Sequence, residues 1–146
     1  MSEKRFENKK FEDIGLELIQ TRLELAEVWH SAARIVFLES DRKKMSKGRL
    51  IYGECEKVSP KNQWAINADF TITIYTPNIE HFTEEQLRIL LLHELMHVGV
   101  RKGGGSESYY IVPHDLEEFS SLAAEYGIDW SENKNVQMTL TDMGVD

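Results

Sequence analysis

The sequence predicts a single α+β domain, and three stretches carry that reading. Residues 11–30 repeat apolar positions at helical spacing, residues 69–75 alternate with period two, and residues 84–98 are apolar on every side behind a helix-start signal. A chain of 146 residues suits one domain with enough buried surface for a core. The expected architecture is an amphipathic N-terminal helix, a mostly antiparallel three-stranded sheet, a central helix and a C-terminal helix. The core spans about 11–130 and a polar tail about 131–146.

The first helix, over about 11–30, is expected to pack Phe11, Ile14, Leu16, Leu18, Ile19, Leu23, Leu25, Ala26, Val28 and Trp29 on a sheet. Arg34-Ile35-Val36-Phe37-Leu38 is short, β-branched and aromatic, and suits a first strand. The polar run Glu39 to Gly48 reads as a connection, Leu50 to Val58 as a second strand, and Ser59-Pro60-Lys61-Asn62 as a turn. Asp69-Phe70-Thr71-Ile72-Thr73-Ile74-Tyr75 alternates cleanly and is the third strand. Thr83-Glu84-Glu85-Gln86 has the form of a capping box, so a helix starts there and runs to about 98, where Gly99 offers a stop. Arg101 to Ser108 reads as a flexible glycine-rich loop, and Asp115 to Tyr126 as the C-terminal helix, stopped by Gly127.

The central helix carries His93-Glu94-Leu95-Met96-His97, an H-E-x-x-H motif. Histidines four positions apart share one helix face, so both imidazoles reach one ion. Neutral imidazole suits Zn²⁺, and a catalytic zinc keeps three protein ligands and a water. Glu94, one position along, takes the proton from that water as general base. A third ligand is needed downstream. His114 lies at the start of the C-terminal helix and offers the imidazole that zinc prefers. Glu117 on the same helix is its competitor, with Asp115 and Glu118 weaker. Glu117 or Glu118 also suits a hydrogen bond to a ligand histidine. An oxyanion needs a further donor, for which Tyr109, Tyr110 and Tyr126 are candidates.

Composition narrows the setting. A net charge of −8 counts against a nucleic-acid partner, which calls for excess Lys and Arg. The local cluster Arg42, Lys43, Lys44, Lys47 and Arg49 reads as a solvated loop. Cys55 is the only cysteine, so no intramolecular disulfide forms and a reducing compartment is the default. No stretch has the length and apolarity of a signal peptide or a membrane span. The expected location is the cytoplasm.

Several segments together resemble a known family. They are Ala33-Arg34-Ile35, Gly53-Glu54-Cys55, the strand 69–75 with Pro77-Asn78, the helix Gln86 to His97, Pro113-His114-Asp115-Leu116-Glu117-Glu118-Phe119 and Tyr126-Gly127-Ile128-Asp129-Trp130. Over roughly residues 30–130 the chain resembles the phage metallopeptidases, small proteins of bacteriophages and prophages that are similar to the SprT/Spartan-like zincins. The resemblance implies a zincin-like domain with His93, His97 and His114 as ligands to one Zn²⁺, Glu94 as base, and the strand 69–75 as the sheet edge along which an extended peptide adds. It implies a polypeptide substrate, a host or phage protein, met in the bacterial cytoplasm, with no membrane. Two other readings stand beside this one: a zinc-stabilised binding protein that does not cleave, and a deformylase-like amide hydrolase with Cys55 as a ligand.

Overall fold

The computed structural model describes residues 3–113. Its centre is strand β6, Phe70–Tyr75, all six residues of which are buried. Such a strand cannot leave backbone groups exposed in the core, so both of its edges must be paired. Strand β2, Ile35–Ser40, runs parallel along one edge with Phe37 opposite Ile72. Strand β5, Gly53–Lys57, runs antiparallel along the other with Cys55 opposite Ile72. Strand β1, Arg5–Glu7, closes the far side of β2, giving the order β1-β2-β6-β5. Among the described residues the sheet therefore has four strands, not the expected three, and it is mostly antiparallel with one parallel pair, β2–β6. The edge beside the helical layer is β5, whereas the sequence pointed to 69–75. Period-two alternation did not mark a half-exposed strand, because Thr71 and Thr73 are buried as well. Arg5 Nη1 donates to Thr73 Oγ1 at 3.1 Å, so the strand's hydroxyl face is covered by a side chain from β1.

Arg34 and Asp69 hold the entry to the parallel pair. The Arg34 backbone N–H and guanidinium both donate to the Asp69 carboxylate, and Asp69 N–H returns a bond to Arg34 O at 2.8 Å. Burial alone would raise the Asp69 carboxyl, but the bonds from Arg34 outweigh it and hold it below its ordinary range.

One face of the sheet is covered by two helices. Helix α1, Lys9–Thr21, is capped by the Asn8 side chain, which accepts from Phe11 N at 2.9 Å. It buries Phe11, Leu18 and Ile19 in the cluster that also holds Phe37, Phe70, Ile72 and Ile74. The expected single helix over 11–30 ends at Thr21. Arg22 is extended, and a short helix α2, Ala26–Trp29, follows a 3₁₀ turn. The break lets Leu25 and Val28 turn inward while Leu23 remains 86% exposed. Apolar spacing alone did not reveal that change of direction.

Helix α3, Glu84–Leu95, packs against α1 and β5 and starts with the expected capping box. Thr83 N–H donates to Gln86 Oε1 at 2.8 Å and Gln86 N–H to Thr83 Oγ1 at 3.1 Å. Every residue from Gln86 to Leu95 except Arg88 is buried. The helix stops at Leu95, about a turn before the expected end, and the chain enters a hairpin of β7, Val98–Gly103, and β8, Ser106–Ile111. Gly104 and Gly105 form its two-residue turn with φ of 60° and 80°, the left-handed conformation that such hairpins require. The stretch expected as a flexible loop is thus paired strand. Gly99 is part of β7 and stops no helix. A Cβ there would stand 2.6 Å from the Tyr110 ring. A second small hairpin joins β3, Met45–Ser46, inside what read as a connection, to β4, Arg49–Leu50, so that the strand expected from Leu50 starts only at Gly53 in β5. The expected C-terminal helix, Asp115 to Tyr126 with Gly127, lies outside the described residues, as does the polar tail.

Gly15 shows how closely α1 lies on the sheet: a Cβ there would be 2.3 Å from Phe37 Cζ. Alanine in place of glycine favours a helix by about 1 kcal/mol, while overpacking a core costs about 1–3 kcal/mol. The clash should dominate, so Gly15→Ala is expected to lower stability by about 1 kcal/mol. Urea unfolding of wild type and variant measures it. A more stable variant would show that Phe37 swings aside without cost.

Candidate metal centre

The last turn of α3 and the two residues after it form one cluster. His93 and Glu94 are helical and buried, whereas His97 lies beyond the helix end, in a turn where its N–H donates to Glu94 O at 3.1 Å. The helix end does not separate the two histidines. Their ring centroids are 5.2 Å apart and inclined at 74°, because Met96 still has helical dihedrals. The Glu94 carboxylate reaches to 4.0 Å from His93 Nε2, so the acid stands beside the imidazole pair.

The hairpin orients His97. Val112, just after β8, donates its N–H to His97 O at 2.8 Å, and Val112 O lies 2.6 Å from His97 Nδ1. A carbonyl only accepts, so Nδ1 carries a proton, and in the neutral ring the lone pair then belongs to Nε2. This is the arrangement found around metal-bound histidines, where a backbone carbonyl fixes the tautomer and turns the other nitrogen toward the ion. The donor chemistry therefore fits a metal that prefers imidazole.

These groups open on a cavity of about 430 Å³. His93, Glu94 and His97 form one side of it, and Gly53, Glu54 and Cys55 of β5 form the wall opposite. Gly53 is what lets β5 come this close to the acid. A Cβ at that position would be 3.0 Å from Ile74 Cδ1, 3.2 Å from Thr73 O and 3.4 Å from Glu94 Cγ. In the sequence this glycine stood out only as part of the Gly53-Glu54-Cys55 segment of the family resemblance, with no sign of a role at the site. At the rim, Lys44 forms an ion pair with Glu54, whose Oε1 also accepts from the Tyr75 hydroxyl at 2.9 Å. Burial first, then this bond to Glu54, pushes the Tyr75 hydroxyl well above its ordinary pKa, so it stays a donor.

The remaining sequence candidates fall in different places. Cys55 lines the cavity, where burial and then the Glu94 and Glu56 carboxylates raise its thiol well above the ordinary value. A metal ligand has to be the thiolate, which those surroundings oppose. Among the described residues no group of three His, Cys, Asp or Glu stands close enough together to hold an ion. A third protein ligand to His93 and His97 would thus have to come from outside 3–113. His114, Asp115, Glu117, Glu118 and Tyr126 all lie there. Tyr109 and Tyr110 are described, and neither lines the cavity. The Tyr109 hydroxyl donates to Glu107 at 2.7 Å, and its ring packs edge-on to Phe70. Tyr110 lies over Gly99 with the Arg101 guanidinium 4.8 Å from its ring centre.

No helix among the described residues is long and apolar enough to cross a membrane. No curated protein and no solved structure matches the sequence. One protein family does. Its description is "Putative phage metallopeptidase", and its pattern matches residues 3–143, which take in both the imidazole pair and the downstream Pro113-His114-Asp115 segment. A family so described implies a metal cofactor and a polypeptide substrate. The chain belongs to the phage metallopeptidase family.

Proposed function

We propose that the protein is a zinc-dependent peptidase in which His93, His97 and His114 hold the metal and Glu94 is the general base. The observation that carries this reading is the His97 Nδ1 contact with Val112 O, set beside a buried carboxylate 4.0 Å from the other imidazole. Bound zinc would supply Lewis acidity, bringing a water's pKa toward neutrality and polarising the scissile carbonyl. The chain's residues do the rest. Glu94 accepts the water's proton on its carboxylate and passes it to the departing amine, work that a structural metal site would not need. The buried surroundings of Glu94 keep bulk water from competing for that proton. An extended substrate pairs along the open edge of β5, opposite β6, as an added strand.

His114 suits the third position because of the clasp at Val112. In the sequence it follows Val112, whose backbone bonds His97, by two positions. Glu117 or Glu118 then serves as a hydrogen-bond acceptor for a ligand imidazole. Cys55 favours a second reading, a deformylase-like amide hydrolase, because it shares the cavity with both histidines. Burial of its thiol beside the Glu94 and Glu56 carboxylates, and the lack of a three-membered donor group among the described residues, oppose that reading.

Two experiments test the assignment. Elemental analysis is expected to find about one zinc per wild-type chain and almost none in His97→Ala. In chelator competition, His114→Ala should lose far more affinity than Glu117→Ala, whose loss stays within about 10- to 100-fold, and Cys55→Ala should match wild type. Loss of metal from Glu117→Ala with retention in His114→Ala would make the site a glutamate type, and loss from Cys55→Ala would support the deformylase-like reading.

The base is tested separately. Glu94→Gln should retain zinc and fold while peptide hydrolysis falls at least about a hundredfold. Turnover at the wild-type rate removes Glu94 from the chemistry.

A further inference from the structure

The chain concentrates positive charge at one point of the metal-centre cavity. Five of its 17 Lys and Arg residues lie between positions 42 and 49, although the whole protein carries −8. This segment forms the β3–β4 hairpin, where Lys47 and Gly48 make a two-residue turn with φ of 52° and 77°. Lys47 is the only residue other than glycine with positive φ among the described residues. The hairpin is anchored at its base. Buried Asn78 donates from Nδ2 to Lys44 O at 2.9 Å and to Ile51 O at 2.7 Å, and Ile51 N–H donates to Lys44 O at 3.1 Å. Lys44, Ser46 and Ile51 also line the cavity that contains His93, Glu94 and His97. The basic arm is therefore solvated, as the sequence led one to expect, but it is an anchored hairpin that meets the rim at Lys44 and Ser46 and not a loose loop.

Its charges are unequally used. Lys44 is neutralised by Glu54, and Arg42 lies 3.8 Å from Glu3. Lys43, Lys47 and Arg49 are exposed and form no ion pair among the described residues. We infer that these three residues are a docking element for an acidic stretch of the substrate polypeptide, flanking the bond to be cut. The inference rests on the peptidase reading and adds a substrate class to it. Gly53 begins β5 directly after the hairpin, so a peptide paired along β5 meets the hairpin at one of its ends only. An acidic flank on that side gains Coulomb attraction from the hairpin, and one at the far end of β5 lies a strand's length away from it.

The test uses the full chain loaded with zinc and the Glu94→Gln form, which permits binding to be read without cleavage. The probes are fluorescein-labelled peptides with one common centre, flanked on either side by four glutamates or four glutamines, plus a duplex DNA oligonucleotide. Fluorescence anisotropy should show tighter binding when the glutamates are on one particular side. That preference should collapse about tenfold in the combined variant Lys43→Glu, Lys47→Glu, Arg49→Glu and weaken as salt is raised. Circular dichroism establishes that this surface variant folds, and Lys43→Gln, Lys47→Gln, Arg49→Gln provides a milder second set. Equal binding of glutamate and glutamine peptides by wild type overturns the inference, as does a preference unchanged by either variant set. Tighter binding of the DNA than of any peptide overturns it in favour of a nucleic acid. Acidic-flank binding that is lost in the variants, with no peptide cleaved by wild type, supports the docking element and removes the peptidase reading instead.

Discussion

Complete burial of one strand organises this protein. With Phe70 to Tyr75 out of solvent on both faces, every backbone polar group of β6 needs a partner within the fold. The parallel strand β2 satisfies one edge and the antiparallel strand β5 the other. That requirement sets the rest of the sheet. It leaves β5 with an open edge among the described residues, puts Phe70, Ile72 and Ile74 against the helices, and directs Gly53 and Cys55 to the side where α3 packs. The Arg34–Asp69 bonds secure the register at the start of the pair, where a one-residue slip would exchange the apolar and hydroxyl faces.

The candidate metal centre depends on this arrangement through distance. Helix α3 is buried almost all round and brings His93 and Glu94 with it, because an apolar helix gains most when no face remains in water. His97 is positioned differently. It lies past the helix, and its ring is held by a backbone carbonyl that arrives from the far end of a hairpin. One histidine is thus set by helix geometry and the other by a hairpin of defined length. The glycine pair at 104 and 105 matters to the site for that reason, since it determines which residue returns opposite His97.

The cavity is built from unlike parts. One side carries the two imidazoles and the buried Glu94, its wall is a strand edge, and its rim is a basic hairpin on an otherwise acidic chain. Asn78 links rim and core, because its side chain satisfies two hairpin carbonyls from a fully enclosed position. Tyr109 and Tyr110 are placed by the same hairpin logic on work away from the cavity, one against Phe70 and one over Gly99.

What the sequence determined by itself was local. The capping box at Thr83 and Gln86 and the helical proximity of His93 and His97 depend on residues three or four apart, so spacing alone exposes them. Tertiary structure decided everything that depends on a distant partner. Strand β1 has almost no apolar signal and exists because β2 offers it hydrogen bonds. The break at Arg22 follows from where Leu25 and Val28 find cover. The exchange of edge strand from 69–75 to β5 follows from two-sided pairing, which alternation cannot report. The tautomer of His97 follows from a carbonyl 15 residues away. Local rules carry no information about such partners, because chain closure over long separations is set by the packing of the whole core.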